Sequence, residues 1–473
     1  MPCFLVGELY QKVNNPLPYG ELFKSYCKIA PYYIKNEVLM RQICLLILLS
    51  ALLYSEDIAD NLYAKPKLTA SQLSDKQTGS YFTGLPIINY DADKGLGYGA
   101  RVYWHDNGDK EAPLFEYTPY KYEIYGQFLK TTNGWQYHVL HFDAPYIEGS
   151  LFRITSELLY EKNTQANYFG TTASSLGQLS DPNGVHYETA KEQQDALDAQ
   201  GSRYYNRFLL EKPTGEVNLA RDLFGGLVRF TIGVNFSYAT VETYDNSDAN
   251  PEHNDESLLY NDNQAAPITG YKGGWDNALK LALVYDSRDF APNPKNGNVF
   301  DLTVGLYGKA LGSAYNHQRY NFSTRNFYTP DAADYLTLAF RWVYSVQVGD
   351  TPFYNKNTIG FADEFKFGLG GFRTLRGYQQ DRFVADVKTV LNFEPRFSLY
   401  EAHTYGQSFE FIVVPFVDAG KVFDDVSDTD LSGYKYTYGA GMRIAWNQAT
   451  IIMIDYGQSV EDSGLYINFG HIF

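Results

Sequence analysis

Between Tyr335 and Gly349 the chain alternates with a period of two. Leu336, Leu338, Phe340, Trp342, Tyr344, Val346 and Val348 fall on one side; Thr337, Ala339, Arg341, Val343, Ser345 and Gln347 fall on the other. Successive side chains of a strand point to opposite faces, so this pattern predicts one long strand with an unbroken apolar face. Such a face is long enough to cross a membrane, for which a tilted strand needs roughly 9 to 11 residues. The pattern recurs. In LNFEPRFSL, Leu391, Phe393, Pro395, Phe397 and Leu399 alternate with Asn392, Glu394, Arg396 and Ser398; in KYEIYGQF, Tyr122, Ile124 and Phe128 alternate with Lys121, Glu123 and Gln127. Charges on the second face need a polar lumen, and a sandwich would bury its apolar faces rather than ring its surface with Trp and Phe. Over residues 80–473, at about 10 residues per strand plus connections, the pattern predicts an all-β fold: a transmembrane antiparallel β-barrel of about 16 strands.

Ahead of the barrel the chain divides in three. Residues 1–39 have no clear periodicity and read as a non-native or mis-started extension before Met40. Residues 40–55 read as a signal peptide: Arg41 precedes an apolar run from Ile43 to Leu53, too short to span about 30 Å of hydrocarbon. Residues 56–79 then form a short periplasmic N-terminal segment. Cys44 lies inside the apolar run and reads as a buried hydrophobe, and with Cys3 and Cys27 it completes the cysteines, so nothing after residue 44 can form a disulfide. Two connections are too long for simple turns. Residues 161–203 include YETAKEQQDALDAQG, which predicts a short amphipathic helix; the acidic, turn-rich residues 242–267 predict a solvated loop whose carboxylates could also hold divalent cations.

Composition sharpens this picture. The 42 Tyr, 31 Phe and 40 Gly against 4 Met suit one large β structure better than several helical domains. A net charge of −16 argues against a nucleic-acid partner, because phosphate repels such a surface. There is no GxSxG, no persuasive His/Ser/Asp arrangement and no metal-ligand spacing, so the expectation is no enzyme, no cofactor and no metal.

One segment breaks the strand pattern. GLGGFRTLRGYQQDRF, residues 368–383, is cationic, aromatic and rich in glycine. Together with YDSRDFAPNPKNG (285–297), LNFEPRF (391–397), PFVDAGKVF (415–423), GAGMRI (439–444) and the final Phe473, it resembles the bacterial surface antigen family of the BamA/TamA outer-membrane assembly superfamily. The resemblance implies a bacterial outer-membrane location and a long extracellular loop folded back into the lumen. It implies that Arg376, Gly377 and Tyr378 form a latch at the loop's tip, with Glu394 and Asp418 as partners on the wall. It also implies a C-terminal sorting signal, here Phe469 and Phe473, with Leu465, Ile467, Phe469 and Phe473 sharing a face. Strand parity agrees for the wall: Glu394 falls opposite Phe393 and Phe397, and Asp418 opposite Phe409, Phe411, Val413 and Val417. Buried carboxylates need a cation, and a planar guanidinium serves two at once. Arg341 and Arg396 are inward by parity and read as lumen-solvating; Arg288 and Asp289 read as turn caps; His471 reads as a boundary residue.

The family's assembly members carry polypeptide-transport-associated modules before the barrel, and residues 56–79 leave no room for one. A barrel-only member is expected. It would assist insertion or translocation of proteins or lipids, working with outer-membrane lipid, a separate periplasmic partner and an unfolded outer-membrane protein or lipid client. The alternative is a passive pore or structural surface antigen. Lateral opening is expected between a first strand at Pro86 to Trp104 and a last at Leu465 to Phe473, a seam weakened by Gly95, Gly97, Gly99 and Gly470.

Overall fold

A computed structural model describes residues 62–473, apart from scattered positions before residue 76 and residues 113, 148–149, 245–256, 363–366, 405–406 and 447–449. The extension, the signal peptide and most of the acidic loop's carboxylates lie outside the described residues.

The barrel strands are β1 (Ser80–Asp91), β2 (Gly95–Asp106), β3 (Tyr122–Thr131), β4 (Trp135–Ala144), β5 (Phe152–Asn167), β6 (Arg207–Leu223), β7 (Val228–Thr243), β8 (Ala278–Asp286), β9 (Gly297–Tyr307), β10 (His317–Tyr328), β11 (Leu336–Gly349), β12 (Val387–Thr404), β13 (Gln407–Phe423), β14 (Lys435–Trp446), β15 (Thr450–Gln458) and β16 (Ser463–Phe469). Each pairs antiparallel with the next, and β16 returns to β1, closing a barrel of 16 strands. The alternation predicted for β11 sets its faces. Trp342 and Val348 are exposed toward the outside, while Thr337, Ala339, Arg341, Val343, Ser345 and Gln347 are buried within.

The expected first strand is in fact the first hairpin. Asp91 Oδ1 accepts the amides of Asp93 (2.9 Å) and Lys94 (3.1 Å), and Gly95 takes φ +78°, so the chain reverses between β1 and β2. Gly97 and Gly99 therefore sit away from the seam. At Gly99 an added Cβ would lie 1.9 Å from the Phe128 carbonyl, so this glycine permits close packing of β2 on β3.

The seam is short. β1 and β2 are in register from Ser80↔Asp106 to Asp91↔Gly95, but β1 and β16 register only at Tyr90↔Ile467. Backbone groups without a ladder partner are costly in hydrocarbon, so this junction is the weakest in the wall. The extrapolated faces of the last strand need one correction. Period two carries Phe473 to the lipid side with Leu465, Ile467 and Phe469, yet β16 ends at Phe469, Gly470 takes φ +85°, and Phe473 turns into the lumen against Phe327.

Loops close one end. The connection between β5 and β6 contains the predicted helix, α1 (Ala190–Gln200), started by a capping box in which Thr189 and Glu192 bond each other's backbone amides. The described part of the acidic loop forms a second helix, α2 (Leu258–Ala265). At the opposite end the N-terminal segment follows the rim: Ala64 N–H donates to Gly225 O (3.0 Å), Leu68 N–H to Glu116 O (2.8 Å), and Lys76 Nζ to Phe115 O (2.7 Å). There Arg288 bonds Asp286, and Asp289 accepts the amides of Lys295 and Asn296, capping the β8–β9 turn.

Candidate functional site

The described residues between β11 and β12, 350–362 and 367–386, enter the barrel. Ile359, Leu369, Leu375, Tyr378 and Phe383 of this loop bury themselves against Val343, Val390 and Val422 of the wall. Fully burying a side chain of this size contributes about 1.5 to 3 kcal/mol, so the apolar contacts alone hold the loop firmly inside. Their geometry is non-directional, however, and the tip is positioned by polar contacts.

At that tip Arg376 is fully buried. Its Nε and Nη2 donate to the two oxygens of Asp418 at 2.9 and 2.8 Å, and its Nη1 donates to Glu394 Oε1 and to Asp455 Oδ2, both at 2.8 Å. The guanidinium plane lies 3.3 Å from the centroid of the Phe416 ring. Two wall arginines complete the cluster. Arg396 donates to Glu394 Oε2 (2.9 Å), and Arg443 bonds both oxygens of Asp455 and reaches Glu394 Oε1 (3.4 Å). Three guanidiniums thus neutralise three carboxylates with no water-exposed member, the condition under which buried charge is tolerated.

Gly377 makes the approach possible. It takes φ +102°, and a Cβ there would lie 2.9 Å from backbone atoms of Gly457 and Gln458. Gly457 in turn admits the Arg376 carbonyl, 2.6 Å from where its own Cβ would be. The Gly377 amide donates to Tyr466 Oη (3.1 Å), and Ser459 Oγ donates to the Gly377 carbonyl (2.8 Å). Tyr378 packs edge-on against Phe383, ring centroids 4.9 Å apart. The loop tip is therefore bonded to β12, β13, β15, β16 and the β15–β16 connection.

The structure brings Arg376 onto both Glu394 and Asp418, and it adds residues the strand pattern did not single out. Asp455 is the main one. Both faces of TIIMIDYGQ are largely apolar, so parity gave no direction; the single charge in that strand was the available signal. Phe416 was hidden for the same reason, since Ile412, Val414 and Phe416 make the inward face of β13 apolar. Arg341 and Arg396 are not solvated. Arg341 donates to Asn392 Oδ1, to the Arg373 carbonyl of the loop and to the Ile472 carbonyl, and both arginines are nearly fully buried. His471 bonds Asn293 in the β8–β9 turn at 3.1 Å. Phe469 stays on β16 and Phe473 lies apart from it in the lumen.

One buried trio has the residue types of a hydrolase but the wrong connections. Ser313 Oγ donates to Asp276 Oδ1 (3.2 Å), the same carboxylate that holds His317 Nε2 (3.0 Å). Among the described residues no hydroxyl bonds the imidazole; Asp276 joins Ser313 and His317, and so ties the segment before β8 to the β9–β10 connection. Among the described residues no His, Cys, Asp and Glu group has the arrangement of a metal site.

A closed barrel of 16 strands, with apolar outer face and a lumen filled by a loop anchored on buried charges, defines a transmembrane outer-membrane barrel. Residues 157–473, about two thirds of the chain, match the Omp85 superfamily domain, and the chain belongs to that superfamily. It is a bacterial outer-membrane protein. Residues 59–121, from the N-terminal segment to the β2–β3 turn, match a domain of unknown function, DUF5982. Among solved structures the chain is similar in fold to BamA from Haemophilus ducreyi lacking POTRA domains 1–3, at 11% identity and TM-score 0.51, covering 83% of this chain and 70% of that one. It is similar also to CdiB from Escherichia coli, at 9% identity and TM-score 0.50, covering 82% of this chain and 63% of that one. No curated protein sequence matches the chain.

Proposed function

We propose that this barrel assists the insertion or translocation of proteins or lipids at the outer membrane by parting at the β1–β16 seam. The observation that carries this reading is the single registered pair, Tyr90↔Ile467, at that junction, against continuous ladders on either side of it. A client strand or lipid chain entering there finds backbone donors and acceptors of β1 that the barrel itself leaves without a strand partner. Arg376, Gly377 and Tyr378 act as the latch, and Glu394 and Asp418, with Asp455, as its wall partners. The latch keeps the lumen filled while the seam opens, so the outer membrane is not breached. Phe469 and Phe473 serve as the sorting signal, read before the strand folds and before Phe473 is buried. A separate periplasmic partner delivers the client to the turn end, where Ala64, Leu68 and Lys76 bond the rim.

The test is depletion in a cell that makes the protein. Loss of surface proteins or surface lipid, or raised permeability, supports the reading; an unchanged envelope overturns it. A passive pore is the competing reading, and planar-bilayer recording separates the two. The latch predicts little steady current from the intact barrel and channel openings from Arg376→Ala, whereas a large steady current from the intact barrel favours the pore.

A further inference from the structure

The inner wall of β10, β11 and β12 carries positive charge that no carboxylate answers. Arg319 is 3% exposed and Lys388 0%, and among the described residues neither forms an ion pair. Gln347 joins them. Its Oε1 accepts from Lys388 Nζ (3.2 Å), and its Nε2 donates to the Asn355 carbonyl (2.7 Å), to which Arg319 Nη2 also donates (3.0 Å). Lys388 Nζ donates besides to the Ala385 carbonyl (2.7 Å), and Arg319 Nη2 to Thr358 Oγ1 (2.8 Å). Arg319 Nε and Nη1 have no acceptor. A guanidinium does not lose its proton in a protein, so this charge cannot be shed by titration.

Unpartnered polar groups converge on the same spot. Asn321 stands opposite Ser345, and Ser345 opposite Lys388, so these form one inward row across strands about 4.8 Å apart. Arg319 lies on the same face of β10, two residues from Asn321. Asn321 Nδ2 and Oδ1 and Ser345 Oγ are buried without a hydrogen-bond partner. Buried polar atoms are paired almost everywhere in native proteins, so orphans gathered beside uncompensated cations point to a ligand. The carboxylates of the neighbourhood are engaged elsewhere. Asp301, opposite Ser323, accepts from Thr303 Oγ1 (2.6 Å) and from the Ala362 amide (3.1 Å), and Asp386 bonds Lys356 (2.9 Å). The inbound limb of the loop roofs the spot: Ile359 is fully buried, and a Cβ at Gly360 would lie 3.1 Å from Arg319 Nη1.

We propose that Arg319, Asn321, Ser345 and Lys388 form a binding site for a small inorganic anion of the halide class. The ligand is an anion because guanidinium, ammonium, amide and hydroxyl donors meet there with no carboxylate among them. It is small because wall and loop together enclose the site. Bound there, it offsets the buried charge and ties the loop at Asn355–Gly360 to the wall, a second polar anchor at the root of the loop rather than at its tip. The site is independent of the assembly reading above.

The experiment uses the full chain, folded in detergent and checked by heat-modifiable gel mobility, with sodium gluconate replaced stepwise by chloride or bromide at constant ionic strength. The urea midpoint should climb with the logarithm of halide concentration above the dissociation constant, as a ligand bound only by the folded state requires. Asn321→Asp, and separately Ser345→Asp, supply the missing negative charge covalently. Each should shift the midpoint in gluconate upward and abolish its dependence on halide. In crystals grown with bromide, an anomalous peak should stand between Arg319, Asn321 and Ser345. A parent midpoint indifferent to halide overturns the proposal. Halide dependence that survives unchanged in both Asp variants overturns it too, since the anion would then bind elsewhere. A lower midpoint in gluconate for both Asp variants has the same force, because it would mean that water meets the orphan groups.

Discussion

Replacing Arg376 with Ala removes the cation shared by Glu394, Asp418 and Asp455, all of them fully buried. Breaking a buried ion pair by deleting one partner costs about 3 to 5 kcal/mol, because the remaining charge is left uncompensated. Here Arg396 and Arg443 remain beside Glu394 and Asp455, so the low end of that range applies, and Asp418 bears most of the loss. The apolar loop residues stay in place, so the barrel should fold and the loop should open more often rather than leave. Opening can be read with one introduced thiol once Cys3, Cys27 and Cys44, the chain's three cysteines, are replaced by Ser. Leu375→Cys places one beside the latch at a position with no exposure. With opening fast and rarely populated, the maleimide labelling rate follows the open fraction, and about 3 kcal/mol raises it by about 100-fold. Arg376→Lys keeps the charge but not the fork, and should fall between, nearer to Ala than to the parent. A labelling rate within threefold of the parent in Arg376→Ala would refute the reasoning, since it would mean the ion cluster does not hold the tip.

Further outcomes follow from other parts of the structure. Gly377→Ala forces a Cβ to 2.9 Å from the β15 backbone at φ +102°, and should raise Leu375→Cys labelling even though every charge is kept. Asp455→Asn should also loosen the tip, and by more than Thr437→Val, because Asp455 bonds two arginines whereas Thr437 contributes one 3.3 Å contact to Asp418. At the loop end, burial and then the neighbouring Asp91 push the Asp93 carboxyl up to about 7, and burial pushes Asp381 up to about 6. Both values lie above the ordinary 3.8, so the native state holds extra protons between about pH 4 and 7; stability should fall as pH rises through that window. The drop in melting temperature between pH 5 and pH 8 should shrink in Asp93→Asn. Paired cysteines at Gly84 and Phe473 should crosslink poorly, because Phe473 lies inside the barrel rather than along the extended register.

Much of this fold was readable because one physical rule, alternation across a membrane-facing wall, repeats in strand after strand. β11 and β12 obey it so fully that their inward residues could be named from the sequence. The rule fails where the lumen is not polar. Ile412, Val414 and Phe416 on β13 and Ile451 and Met453 on β15 face inward and are apolar because they pack rather than meet water: Ile412, Val414 and Ile451 on one another and on Ala445, Met453 in the cluster with Ile472, Phe473 and Phe372 of the loop, and Phe416 under the Arg376 guanidinium. Asp455 was lost in that ambiguity, and with it the third carboxylate of the cluster. The turn at Asp91–Gly95 was misjudged because alternation continues on both sides of it, while the capping by Asp91 Oδ1 was the signal. The inward turn of Phe473 depends on one glycine dihedral and on two arginines distant in sequence, Arg341 and Arg396, which no local pattern links to it.

The central claim is that the barrel works by parting at its seam, and a reversible lock tests it. Tyr90→Cys with Ile467→Cys places two thiols at the one registered pair. In cells depleted of the parent protein, this variant should fail to sustain the envelope under oxidising conditions and recover when reductant opens the disulfide, while each single variant supports the envelope throughout. A fully crosslinked population that sustains surface proteins and lipids as the parent does would contradict the account.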